Sequence, residues 1–177
     1  STEALLAFQN ALLRLNEEKI PVYAIAGNHD SILRKGAMPP LVLFKNLGLK
    51  LISPDNPAYI EGGVLICGSP YVPSSQGDVL RDTYNQLSKL ADKYLKSILV
   101  SHQGIDKWMH EDTHEIELAE MPKNFDYYAR NSVNGSVVTN VDYCKALDEM
   151  CDGDKVRTLL VRGSASMCLA RFNWRNA

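Results

Sequence analysis

The sequence predicts an α/β fold, and three observations carry that expectation. Short apolar runs of strand length stop at Gly, Pro or polar turn residues. Stretches with apolar residues at helical spacing stand between them. The two kinds of segment alternate along the chain rather than falling into blocks. At 177 residues, 45% hydrophobic and 23% charged, the composition is that of a globular chain, read as one domain over 1–177. Nineteen Lys and Arg against 21 Asp and Glu give a formal net charge of -2, so bulk charge does not point to nucleic acid. No apolar run is long enough for a membrane span, and no segment has the layout of a signal peptide. Cys67, Cys144, Cys151 and Cys168 show no paired spacing and read as thiols of a reducing compartment.

The first helix is predicted from an N-cap at Ser1 or Thr2, with Leu5, Phe8, Leu12 and Leu15 on one face and Pro21 as its stop. Residues 22–26 form a short apolar strand closed by Gly27. A helix feeding a buried strand is the second half of a βαβ unit, so the chain is expected to start partway through a domain. Residues 38–47 suit a short helix opened by Pro39 and Pro40 and closed by Gly48. Strands are expected at 49–52, 58–60 and 64–68. An amphipathic helix over 78–96 carries Leu80, Tyr84, Leu87 and Leu95, and 98–100 is another buried strand. Further on, strands at 137–141 and 159–161 flank an acidic helix near 145–150.

Chemistry concentrates at two strand ends. The strand over 22–26 delivers Gly27, Asn28, His29 and Asp30 to its carboxyl end, where ligand sites of open α/β sheets gather. Asn28 offers an amide oxygen to a hard cation, and His29 an imidazole for proton transfer. The strand over 98–100 ends in Ser101, His102, Gln103 and Gly104. A single histidine there is weak evidence, but two strands ending in Asn and His can bring both to one metal, making His102 a candidate ligand.

With these motifs the sequence resembles the calcineurin-like metallophosphoesterases, and within them the SbcD-type nucleases of double-strand-break repair. The resemblance rests on Ile20-Pro-Val-Tyr-Ala-Ile-Ala-Gly-Asn-His-Asp30, Leu99-Val-Ser-His-Gln-Gly104 and Pro122-Lys-Asn-Phe-Asp-Tyr-Tyr-Ala129, with Gly68-Ser-Pro-Tyr71 between them. It covers residues 1 to about 129; Gly163 and Ser164 match a later Gly-Ser turn weakly. It implies a sandwich of mixed sheets flanked by helices, here lacking its first strands. It also implies two Mn2+ ions and in-line attack of an activated water on a DNA phosphodiester. Asn28 and His102 would be ligands of one ion. His29 would stand beside the scissile phosphate, and Asp30 would orient His29. Ser132 and Asn134 occupy the two positions where the family has metal-binding histidines. The family's Asp-x-His and Gly-Asp motifs would lie ahead of Ser1. Implied partners are DNA, a coiled-coil ABC-type ATPase and a second copy, docked through Leu43 and Leu47 on one side of the short helix. The implied location is cytoplasmic and nucleoid-associated, or nuclear, and not secreted.

Three rival readings stay open. A catalytically degenerate phosphoesterase-like interaction module would keep the scaffold without the ligands. A superfamily phosphodiesterase of small phosphoesters would keep the chemistry and change the substrate. His110-Glu-Asp-Thr-His114 matches the His-Glu-x-x-His pattern of zinc proteases, with Glu111 as general base. That pattern needs both histidines on a packed helix, and this segment reads instead as a solvated loop. Arg34, Lys35, Lys45 and Lys50 form a modest basic cluster that serves equally as DNA contact or solvated surface.

Overall fold

The computed structural model describes residues 2–28, 30, 39–106 and 114–130. Helix α1 (Thr2–Glu17) buries Phe8 and Leu12, with Leu15 packed beside them. Its end is set before Pro21 is reached. Lys19 takes a left-handed φ of 55°, the Lys19 amide donates to Asn16 O at 2.9 Å, and the Ile20 amide donates to Leu15 O at 2.8 Å. Those two bonds are the Schellman closure that satisfies the last carbonyls of a helix. Pro21 follows a stop already made.

Strand β1 (Val22–Ile25) is buried along its whole length and pairs in parallel with β2 (Leu49–Ile52), Val22 opposite Leu49 and Ile25 opposite Ile52. The helix between them, Pro40–Leu47, is a 3-10 helix, closed by Gly48 at φ 89°. Three residues per turn put Leu41, Phe44 and Leu47 on the inner face and Pro40, Leu43 and Asn46 on the outer one. This corrects the expected pairing of Leu43 with Leu47. Residues four apart share a side on an α-helix, but on a 3-10 helix they diverge by about 120°. Leu43 is 58% exposed, while Leu47 packs on the domain's own core.

The second sheet has four strands, hydrogen-bonded side by side in chain order. Strand β3 (Ala58–Glu61) runs antiparallel to β4 (Val64–Ser69); β5 (Lys96–Ser101) and β6 (Tyr127–Arg130) continue in parallel. Gly62 and Gly63, at φ 55° and 84°, make the two-residue turn between β3 and β4, which requires positive φ at both positions. Helix α2 (Gly77–Ala91) buries Leu80, Tyr84, Leu87 and Ala91. It ends five residues earlier than the sequence pattern suggests, because the chain must turn to reach β5. Turn bonds from Lys93 to Leu90 O and from Tyr94 to Ala91 O make that change of direction. Tyr94 packs on the core, and Leu95, expected on the helix's apolar face, is 92% exposed.

Alternation along the strands sorts the apolar residues into layers. Leu65, Cys67, Leu99 and Tyr128 face Leu80, Tyr84 and Leu87 of α2. Val64, Ile66, Ile98, Val100 and Ala129 face Tyr23, Ile25 and Ile52 of the first sheet. The opposite side of that sheet, with Val22, Ala24, Leu49 and Leu51, is covered by Phe8 and Leu12 of α1 and by Leu41 and Phe44. The architecture is helix, sheet, sheet, helix, as the resemblance implies. Cys67 is fully buried, and burial pushes its thiol up to about 12, so it is inert at neutral pH. No helix among the described residues is long and apolar enough to cross a membrane. The elements expected at 137–141, 145–150 and 159–161 lie outside the described residues, as do Cys144, Cys151, Cys168, Gly163 and Ser164.

Candidate metal centre

Three strand ends converge at one edge of the sandwich. After β1 come Ala26, Gly27 and Asn28; after β4, Pro70 and Tyr71; after β5, His102, Gln103 and Gly104. His102 Nε2 stands 3.2 Å from Asn28 Oδ1, although 74 residues separate them in the chain. His102 is 2% exposed. The two sheets thus bring together the pair of residues singled out as ligands of one ion.

Their placement depends on Gly27. A Cβ on that residue would stand 2.8 Å from His102 Cε1 and 3.1 Å from both ring nitrogens. The imidazole lies flush against backbone, a close approach that glycine alone permits without displacement. Asp30 closes the turn after Asn28. Its carboxylate accepts the Gly27 amide at 3.2 Å, and its own amide donates to Gly27 O at 3.0 Å. His29, Ser132 and Asn134 lie outside the described residues.

The edge holds more polar groups than the motifs alone name. The Tyr71 amide donates to Ala26 O at 3.0 Å, tying the end of β4 to the end of β1. The Tyr71 ring meets His102 edge-on, with centroids 6.4 Å apart and planes at 81°. Burial, and then the charge of Glu115, hold the Tyr71 phenol above its ordinary pKa. The Glu115 carboxylate accepts the Gly104 amide. Tyr71 belongs to the Gly68-Ser-Pro-Tyr71 motif but has no role readable from sequence. The signal for Gln103 was its place in a polar run after an apolar strand; in the structure His102, Gln103 and Gly104 are all buried.

The donor pair fits a divalent cation as two neighbouring ligands. Donors about 2.1 Å from one ion and at right angles to it stand about 3.0 Å apart, close to the observed 3.2 Å, at which Asn28 Oδ1 also accepts a hydrogen bond from a protonated His102 Nε2. Imidazole nitrogen and amide oxygen together suit a cation of intermediate hardness. Among the described residues no group of three or more His, Cys, Asp or Glu side chains stands ready to hold a metal. The zinc-protease reading gains nothing: His114 stands outside any helix, and 110–113 lie outside the described residues. Of the basic cluster, Lys50 is paired with Glu61, and Arg34 and Lys35 are outside the described residues.

A two-sheet sandwich between helices, with Asn and His converging from two strand ends, is consistent with a fragment of the metallophosphoesterase class of fold. No family model matches the chain. Curated relatives do. The DNA double-strand break repair protein Mre11 of Saccharolobus solfataricus is 33% identical over 136 residues, 76% of this chain and 35% of the relative. The Mre11 of Methanocaldococcus jannaschii is 32% identical over 137 residues, 77% of this chain and 37% of the relative. That of Haloferax volcanii is 37% identical over 123 residues, 69% of this chain and 26% of the relative. The chain belongs to the calcineurin-like metallophosphoesterases, on the branch of the Mre11 repair proteins, which are relatives of SbcD. It spans about a third of the length of the first of these relatives.

Proposed function

We propose that this chain serves manganese-dependent hydrolysis of DNA phosphodiesters at double-strand breaks, as part of a nuclease subunit. The observation that supports the reading most directly is the Asn28–His102 pair, two metal donors 3.2 Å apart at converging strand ends. The relatives' names supply the repair context. His102 and Asn28 present a nitrogen and an oxygen to one ion, and Gly27 keeps the imidazole in place. A bound divalent ion supplies an activated water and neutralises charge developing on the phosphate. His29, next in sequence to Asn28, is the group to stabilise the transition state or protonate the leaving oxygen, with Asp30 as its orienting carboxylate. Partners that follow from the reading are DNA, a coiled-coil ABC-type ATPase and a second copy of the chain, with an intracellular, DNA-associated location.

Manganese titration of the chain, followed by NMR, tests the metal assignment even where binding is weak. His102 ring signals should broaden at lower Mn2+ than those of His110 or His114, and Asn28→Ala should abolish that selectivity. Uniform broadening removes the pair from the site. Substrate class is read by comparing linear duplex DNA with a small chromogenic phosphodiester. Hydrolysis at duplex ends, lost in the Asn28→Ala, His102→Ala double variant, supports the nuclease reading, and His29→Ala should keep metal binding while losing turnover. Preference for the small ester favours the phosphodiesterase alternative. DNA-end binding without any hydrolysis favours the degenerate interaction module.

A further inference from the structure

Gln103 follows His102 directly and is 1% exposed. A buried amide is costly unless its polar atoms are bonded, so its partners indicate what it is there to hold. Its Nε2 donates to Pro70 O at 2.8 Å, and its Oε1 accepts the Val72 amide at 3.4 Å. Those partners fix which end is nitrogen, since a carbonyl can only accept and a backbone amide only donate. One side chain therefore grips the chain on both sides of Tyr71. Tyr71 is held from a third direction by its amide bond to Ala26 O, and its ring stands edge-on to His102.

We propose that Gln103 is a positioning residue: by bracketing Tyr71 it sets the ring that fixes the orientation of the His102 imidazole toward Asn28. The imidazole is then bounded on separate sides by the Gly27 backbone, the Asn28 amide and the Tyr71 ring. A residue of similar volume without polar ends would fill the space but remove both Gln103 bonds, leaving Pro70 O with the Ser69 hydroxyl at 3.1 Å and the Val72 amide without the Gln103 acceptor. The 70–72 segment would then keep only the Tyr71 amide bond to Ala26 O and the Ser69 hydroxyl on Pro70 O, so Tyr71 would be held less tightly. The inference rests on His102 being a functional ligand, but its test reads the imidazole itself and needs neither metal nor DNA. Its failure is therefore distinguishable from failure of the nuclease reading.

The test follows the His102 ring-proton resonances of the metal-free chain in three variants whose folding is checked by circular dichroism. Tyr71→Leu removes the ring and should shift those resonances. Gln103→Met keeps the volume but loses both hydrogen bonds, and should shift them in the same direction. Combining the two should add little beyond Tyr71→Leu alone, because both act through one ring. If Gln103→Met does not fold, Gln103→Glu decides, keeping the acceptor for Val72 and losing the donor for Pro70. Wild-type His102 resonances in a folded Gln103 variant, with only a lowered melting temperature, would make Gln103 structural support and overturn the proposal. Unmoved resonances in Tyr71→Leu, or failure of both Gln103 variants to fold, would overturn it equally.

Discussion

A methyl group at position 27 would stand 2.8 Å from Cε1 of His102, inside any normal carbon contact, so Gly27→Ala must displace the imidazole or the turn. Overpacking of this kind costs about 1–3 kcal/mol. Urea unfolding should report that loss, and the His102 ring signals should move in the folded variant; unchanged signals would show that the turn yields instead. Lys19 carries the opposite kind of strain. Its φ of 55° is a left-handed conformation that a side chain resists. Lys19→Gly should stabilise the chain by up to about 1 kcal/mol, less the added entropy of the unfolded glycine. A lower melting temperature in that variant would mean that the Lys19 side chain contributes more than its backbone costs. Sequence alone marks Asn28 and His102, because amide and imidazole at strand ends are conspicuous. It places Tyr71 and Gln103 in motifs but gives them no role, because that role lies in which backbone groups they meet.

Strands were the most legible elements, since a run buried on both faces is continuously apolar. All five strands expected over residues 1–129 are present, with ends shifted by a residue or two. Helix type and helix ends were less legible. Apolar residues at 41, 44 and 47 fit a 3-10 helix, yet a short stretch with Leu43 and Leu47 also reads as an α-helix. The end of α2 is dictated by the position of β5, a tertiary fact that no local pattern contains. Apart from the Asn28–His102 pair, contacts between the sheets were not legible. Lys50 on β2 pairs with Glu61 on β3, the Tyr23 hydroxyl donates to Glu61 at 2.8 Å, and the Tyr59 hydroxyl donates to Leu51 O at 3.0 Å. Hydrogen bonds from Lys50, then Tyr23, hold the Glu61 carboxyl below its ordinary pKa. A depressed carboxylate stabilises the fold above its unfolded pKa and loses that contribution as pH falls through the folded value. Water screens a pair this open, so Glu61→Gln should cost only about 0.2–1 kcal/mol at neutral pH. The difference from wild type should shrink below about pH 4.3 and should also shrink in high salt. A difference that stays constant down to strong acid would remove the carboxylate's charge as its source.

At the scale of the whole molecule, the four layers bury most of the large apolar residues described; Leu5, Leu6, Leu13, Leu43, Ile60, Val79 and Leu95 stay exposed, and of these Leu43 bears on the proposed contact with a second copy. On the 3-10 helix between β1 and β2, Leu41 and Phe44 are buried at 3% and 4%, while Leu43 is 58% exposed on the outer face. Single exposed leucines are ordinary on protein surfaces. A standard interface also needs about 800 Å² from each partner, so in the proposed dimer Leu43 would be one anchor within a wider face. The proposed contact with a second copy therefore narrows from two leucines to one. Leu43→Asp should leave the melting temperature nearly unchanged and reduce the mass of the particle measured by light scattering. Leu47→Asp, which places a charge against the layer of Phe8 and Leu12 from a half-buried position, should instead lower stability by roughly 0.5–3 kcal/mol. A folded Leu43→Asp chain with the same mass in solution as wild type would sink the dimer proposal, because no other residue of that helix offers its outer face a large apolar side chain.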